Sequence, residues 1–532
     1  MSVVKTSKTV KFKVSPATNT GKQGAFVATH ALWQRAVDFY TGFFLAHVGI
    51  FETTKTVIVK KGKHKGETQE KKLDAKDLLS WAEKHTVVTD AHPRVFNDFE
   101  KTCPGMPVIL RRAAINAASG AVRSNLSNEK RWMAAGCKGK GPSLPRPHPN
   151  LTMYQGVHNI LVENFRDGHV RLKLFNGTKW EWYNVPVQAP PYAMSLLTGS
   201  EQEKSRIALC QKEIQQLMKA SGRTEKTDEE KEVLQPTIGT WVMRACTILE
   251  KDGQWWIHIP FEKRVNIKGK AEDRRAREPN LRVGTIDLNV DSTVGISWIG
   301  HQLQGVHSFR QARENAKREK ALQKVARKQS ASGTAVKGEK SNRQLWRYIK
   351  NLDDSVAWQI ARAIVTWAVL SGIQVLVFEH LRSYRPERGR SWSRRTNRKR
   401  NYWLRGKVMK HVRDLALREG ILTVERNPAW TSQACPRCTH LAERFSPNGS
   451  GYPSRLRCEH CGWEGDANFV GAYNLKRKWN RTFRYPTAAE KKAALELRRV
   501  RKESAMQTAN AMKQSDAVCI QGPEFLELVE IS

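Results

Sequence analysis

Seven side chains in the C-terminal half of this sequence have the type and spacing to do chemistry. Cys435, Cys438, Cys458 and Cys461 form C-x2-C-x19-C-x2-C. Two residues between cysteines let both thiolates of a knuckle reach one ion, and two such knuckles complete a tetrahedral four-thiolate zinc site. With all four positions filled by protein, one zinc ion there is structural and leaves no place for water. The other three are acids. Asp287 and Glu379 lie at the ends of the apolar runs "LRVGTIDL" and "IQVLVFEH", where an uncompensated carboxylate is costly, and Asp466 opens a helical stretch just past the second knuckle. Taken singly, each has an ordinary explanation: a turn residue, an arginine partner, a helix N-cap.

The elements between these residues make the ordinary explanations less complete. "LRVGTIDLNVDSTVGISWIG" reads as a buried strand, a turn at Asn289 to Ser292 and a second strand, with "QLQGVHSF" as a third. After a long basic helical stretch and a polar break at 329–341 comes a helix with Asp353 and Asp354 at its start. Val356, Ile360, Ile364, Trp367 and Leu370 form its stripe, and Gly372 stands past its end. The run "IQVLVFEHL" has the continuous apolarity of a central strand covered on both faces. "NYWLRGKVMKHVRDLALREG" then reads as a helix and "ILTVERNP" as another strand. Strand acid, strand acid, helix acid, with sheet grammar between them, describes a ribonuclease H type of α/β fold. In that arrangement the acids converge on two divalent ions about 4 Å apart.

The N-terminal half reads differently. "TVKFKV" at 9–14 alternates as a strand, and "ALWQRAVDFYTGFFLAHVGIF" and "VILRRAAINAASGAVRSNL" have the spacing of core helices, with Arg111, Arg112 and Arg123 as candidate phosphate contacts. "KKGKHKGETQEKK" between them is a solvated loop or hairpin tip. From about Asn150, "HVRLKLF", "KWEWYNVPV", "WVMRACTIL" and "QWWIHIPF" are short aromatic strands of a small barrel, interrupted by a charged helical insert near 200–230. Aromatic residues on such strands either fill the core or stack nucleobases.

Charge selects the partner class. Lys plus Arg number 91 against 51 Asp plus Glu, a formal excess of +40 over 532 residues. An excess of that size favours a polyanion, since neutralising phosphates releases counterions. The segment from Arg382 to Arg413 holds thirteen Lys or Arg against Glu387 alone. Within it Arg394, Arg395, Arg398, Lys399, Arg400, Arg405 and Lys407 are the candidate nucleic-acid contacts. No apolar run approaches the ~18 residues of a spanning helix and no signal-peptide core opens the chain, so no membrane partner and a prokaryotic cytoplasmic location are expected. Nine cysteines, only four of them paired by spacing, argue for reduced thiols and one metal site rather than a disulfide framework.

The motifs "GTIDLNVDSTVGIS", "VLVFEHL", "NPAWTSQACPRC" and "CEHCGWEGDANFVGAYNL" together resemble the three RuvC segments and zinc ribbon of the transposon-encoded TnpB nucleases and of the compact type V CRISPR effectors related to them. The motif-bearing part covers roughly residues 281–480; the N-terminal half resembles the family in layout only. Thr439 stands where the family usually has glycine, and His380 where an acid more often follows the glutamate.

The resemblance implies an RNase H-like (RuvC) nuclease domain at 281–430 and 466–486, interrupted by a zinc ribbon at 431–465. It further implies a wedge β-barrel formed by 1–20 and 150–266, a helical recognition domain at 21–149, a linker at 267–280 and a tail at 487–532. Asp287, Glu379 and Asp466 become catalytic acids holding two Mg2+ ions. The activity implied is RNA-guided DNA cleavage in CRISPR adaptive immunity. The partners are a guide RNA and target DNA, as duplex and displaced strand, engaged by a monomer or a homodimer on one guide. Guided binding with weak or absent cleavage, and a TnpB-type transposon role, are the alternatives.

Overall fold

In the computed structural model the described residues are 2–496, with breaks at 16–19, 59–65, 94, 96–97, 146–149, 154–161, 167, 290–291, 311, 333–341, 382–402 and 447–453, together with 499–500, 503–504 and 507. The chain divides into two compact units, residues 5–264 and residues 1–4 with 265–532.

In the first unit, helices Thr20–Ala46 and Val108–Ala134 pack together. Phe26, Trp33, Tyr40 and Phe44 recur at helical spacing and are buried, and the small Ala113, Ala114 and Ala118 of the second helix let the pair approach closely. The Lys/Gly run is flanked by a hairpin, Thr54–Ile58 against Thr68–Lys72. The aromatic strands join Ser2–Val14 in one eight-stranded sheet. Helix Ala193–Ala220 is the insert, beginning earlier than its charged portion suggests because "AMSLL" already packs Ala193 and Leu197 into the core.

The second unit is built on a five-stranded sheet. Its strands are β1 (Arg282–Asp287), β2 (Ser292–Ile299), β3 (Gln302–Arg310), β4 (Val375–Glu379) and β5 (Leu422–Arg426), in the order β3-β2-β1-β4-β5. The first three form an antiparallel meander, while β4 and β5 run parallel to β1. Between β3 and β4 lie α1 (Ala312–Ala331) and α2 (Arg343–Leu370), and α3 (Arg405–Arg418) crosses from β4 to β5. Strand parity sorts the two faces. Ile286, Leu376 and Phe378 pack with the α2 and α3 side chains, whereas Val283, Val375 and Val377 pack with Ala472 and Trp479 of α4 (Ala467–Asn480).

One expectation fails here. Asp353 and Asp354 lie inside α2, not at its start: "RQLWRYIKN" is good helix sequence and carries the helix back to Arg343. The segment read as a linker contains a helix, Ala271–Arg277, with Ala271 and Arg274 buried. Its Arg275 donates to the Trp479 carbonyl at 2.6 Å, closing the C-terminus of α4.

Candidate active site and metal centre

The parallel register that sets Ile286 beside Phe378 brings Asp287 and Glu379 level, one residue further on, at the C-terminal ends of adjacent strands. Both belong to the face covered by α4. Asp287 is buried and Glu379 half-buried. Burial, then the negative charge of Glu379, holds the Asp287 carboxyl well above the usual carboxylate range, against an Asn289 hydrogen bond and the positive charge of Arg444. Burial likewise raises Glu379, opposed by Thr431, Lys478 and Arg444. Two neighbouring acids that resist ionisation together suit a site completed by positive charge.

Asp466 is the last residue of ribbon strand β8 (Glu464–Asp466) and the N-cap of α4. Its Oδ1 accepts from the Asn468 and Phe469 amides at 2.8 and 3.0 Å. It is exposed, yet its charge still raises the Asp287 carboxyl. Among the described residues the three acids do not bring an oxygen from each within 4.8 Å of the others. The structure therefore pairs Asp287 with Glu379 and sets Asp466 at the rim. An all-carboxylate donor set fits a hard cation such as Mg2+ rather than a soft one.

Several residues that sequence reasoning missed complete the site. Asn289 donates from Nδ2 to Asp287 Oδ2 at 2.9 Å and to Asn468 Oδ1 at 3.0 Å, tying β1 to the first turn of α4. Thr431 donates its hydroxyl to Glu379 Oε1 at 2.6 Å. Buried Asn474 donates to the carbonyls of Thr431 and Ala434 at 2.8 and 2.7 Å, so α4 also positions the loop that orients Glu379. Lys478 donates to the Asn427 carbonyl at 2.7 Å, and burial lowers its ammonium to about 8. Gly471 faces Asp287 so closely that a Cβ there would stand 2.7 Å from Oδ2. The available signal was the polar spacing within "DANFVGAYNLKRK", which a purely apolar stripe does not need.

The four ribbon cysteines come together. Sγ atoms of Cys435 and Cys461 are 3.6 Å apart, those of Cys438 and Cys458 3.4 Å, near the ~3.8 Å edge of a tetrahedron with Zn–S of about 2.3 Å. Strands β6 (Glu443–Phe445), β7 (Arg455–Arg457) and β8 form the small sheet beside them. The second knuckle turns at Gly462 (φ 69°); the first makes the same left-handed turn at Thr439 (φ 68°), which a β-branched residue adopts at a cost. His380 turns away from the acids and meets Glu425 Oε2 at 2.7 Å.

The basic candidates divide. Arg394, Arg395, Arg398, Lys399 and Arg400 lie outside the described residues. Arg405 stacks on Trp403 at 5.5 Å and lines, with Glu379, Arg413 and Lys407, a cleft of about 530 Å³. Lys407 is paired with Asp354 at 2.8 Å, so its charge is partly spent. Arg111 and Arg112 both hold Glu83 at 3.0 Å, because that half-buried carboxylate needs compensation, and one carboxylate leaves the pair with a net positive charge. Arg123 lies over Phe51 and donates to the Leu73 carbonyl at 3.0 Å.

Comparison with known proteins reaches both units. Residues 8–176 match the Aq_aa04 family, and residues 406–475 match the family described as Cas12f1-like, TNB domain. The uncharacterized protein aq_aa04 of Aquifex aeolicus is 34% identical over 185 residues, spanning 98% of that protein and 33% of this chain. The TnpB-like protein aq_aa05 of the same organism is 27% identical over 246 residues, 76% of its length and 44% of this chain. The chain belongs with aq_aa04 in one family over its N-terminal part, carries a stretch matching the Cas12f1-like TNB domain and is similar to a TnpB-like protein. Solved structures aligned with this chain include a Cas12f1-sgRNA-target DNA complex, 14% identical with a TM-score of 0.42 over 85% of this chain and 81% of that one. A mini-RNA-guided endonuclease, Cas_phi3, gives 11% and 0.42 over 89% and 92%. Likenesses at that level say nothing about chemistry.

Proposed function

We propose that this chain is an RNA-guided, DNA-targeting endonuclease that cuts phosphodiester bonds in an RNase H-like (RuvC) site. A guide RNA pairs with the target while the protein reads a short flanking duplex motif. The observation that carries the reading is the pairing of Asp287 and Glu379 at one end of the parallel strands, facing the helix that Asp466 opens. Two Mg2+ ions held by these three acids would activate the attacking water and stabilise the leaving oxygen. The chain's own residues prepare that arrangement. Asn289 holds Asp287, Thr431 holds Glu379, and Arg444 and Lys478 temper the excess negative charge before metal arrives. The cleft edged by Arg405 and Arg413 would take the substrate strand, and the basic segment through 382–402 would add phosphate contacts. The ribbon, with one structural zinc, would keep the start of α4 in register with the sheet.

The test is incubation of guide-loaded protein with labelled target and Mg2+, compared with Asp287→Ala. Cleavage by the parent and its loss in the variant support the reading; equal cleavage by both overturns it. Guided binding without useful cutting is favoured by one feature, the commitment of the Asp466 carboxylate to capping its own helix. Under that reading Asp287→Ala binds target as tightly as the parent and neither cuts. Within the nuclease reading, a type V CRISPR role in antiviral defence and a TnpB-type transposon role share the same site.

A further inference from the structure

The next turn of α4 after Asn474 carries Lys478, a buried cation whose partners are all neutral. Its Nζ donates to the carbonyl oxygens of Asn427, at 2.7 Å, and of Ala429. The same Nζ stands over the rings of Phe483 and Tyr485, 4.5 and 5.1 Å from their centroids. Those two rings meet edge to face at 5.1 Å, so they form one corner around the ammonium. Burying an ammonium away from a carboxylate is costly. Here two carbonyl dipoles and two ring faces stand where a counter-ion would.

The two carbonyls flank Pro428 in the loop that leaves β5 for the first knuckle. Within it the Asn427 side chain accepts from the Ala429 amide at 2.9 Å, and the Pro428 carbonyl accepts from the Thr431 amide at 3.2 Å. Trp430 takes the left-handed φ of 68°, a conformation that a residue other than glycine adopts at a cost, so outside contacts must hold the turn. Lys478 grips it on one side. On the other, Lys491 Nζ lies over the Trp430 ring at 5.8 Å. The loop ends on Thr431, whose hydroxyl meets Glu379. The residues that follow α4 therefore reach the acid through two contacts, the aromatic corner around Lys478 and the lysine over Trp430.

We propose that Lys478, held in the corner made by Phe483 and Tyr485, is a positioning residue of the nuclease centre: it fixes the 427–431 loop so that Thr431 meets Glu379, and it makes the chain beyond α4 part of that centre. The proposal rests on the nuclease reading, but one of its two readouts does not. Hydrogen exchange across residues 427–434 in the full, zinc-loaded chain without Mg2+ reads the loop. Single-turnover cleavage by guide-loaded protein reads the acid. Tyr485 is 52% exposed, so Tyr485→Leu opens the corner without threatening the fold. Exchange in that variant is expected to quicken about threefold or more and cleavage to slow about five- to tenfold, with target affinity in the absence of Mg2+ unchanged. Tyr485→Phe keeps the ring and restores both rates to within about twofold of the parent. Lys478→Met keeps the length, removes the charge and its donors, and is expected to slow cleavage about tenfold or more. Adding Thr431→Val to Lys478→Met slows it by less than about threefold further, because Lys478 acts through Thr431. Effects of the two that multiply would show a merely structural role and overturn the proposal. Unchanged exchange in both Tyr485→Leu and Lys478→Met overturns the grip on the loop, and faster exchange with cleavage unchanged overturns its link to Glu379. Absence of cleavage in the parent overturns the nuclease reading and the positioning role with it, while the exchange rates still decide whether the corner holds the loop.

Discussion

Gly471→Ala is the sharpest perturbation of the proposed centre, because it alters an acid's position without changing an acid. A Cβ at residue 471 would lie 2.7 Å from Asp287 Oδ2 and 2.9 Å from its Cγ, whereas ordinary contact begins near 3.4 Å. The obstacle is a buried side chain hydrogen-bonded to Asn289, so it has little room to yield. Relieving the contact takes a shift of roughly 0.7 Å in the carboxylate or in α4, and misplacing catalytic groups by about 1 Å costs about a hundredfold. The expected loss is therefore about ten- to fiftyfold in the single-turnover cleavage rate, or ~1.4–2.3 kcal/mol in the barrier. The stability change is small. Overpacking costs about 1–3 kcal/mol, and replacing a mid-helix glycine by alanine returns ~1 kcal/mol. Guide-loaded protein is assayed for cleavage, for target affinity without Mg2+ and for the Mg2+-induced rise in melting temperature. Gly120→Ala, in an open position on a helix, is the control. Cleavage within twofold of the parent, with an unchanged Mg2+ response, would refute the idea that Gly471 sets the place of Asp287.

Three further outcomes are expected. Asp287 has a native carboxyl raised above its unfolded value by burial and by Glu379, so its contribution to stability is present below the unfolded value and is lost as pH rises through the native one. Asp287→Asn should flatten that decline, raise the metal-free melting temperature near neutral pH by about 2–4 °C and reduce the stabilisation by Mg2+; thermal melts across pH, with and without Mg2+, check this. Thr439→Gly removes a left-handed β-branched residue from the first knuckle and should stabilise the zinc-loaded ribbon by about 1 kcal/mol, read as slower zinc loss to a chelator. Thr431→Val deletes the donor to Glu379 and should slow cleavage at saturating target while leaving target affinity intact, whereas a fall in affinity of the same size would show a structural role instead.

Some of this architecture is written in local residue order. The two knuckles are local events, since two residues between thiols suffice to aim both at one ion, and the acids announce themselves because a carboxylate ending an apolar strand needs a reason. Continuous apolarity in "IQVLVFEHL" likewise identifies a strand covered on both faces. The start of α2 was not legible, because the early acids Asp353 and Asp354 mimic a cap and their true partners, Arg318 and Lys407, come from other elements. Nor were Asn289, Thr431, Asn474 and Gly471, polar or small residues whose roles depend on which strand end they meet. Sequence by itself determined the chemistry available: four thiolates, three acids, a large positive charge and the period of each element. Only the tertiary structure decided that Asp287 and Glu379 stand level while Asp466 caps its helix at the rim, and that two ribbon histidines stack on one another beside the four cysteines. Strand register and helix docking are settled by burial across the whole sheet, and no local run of residues carries that information.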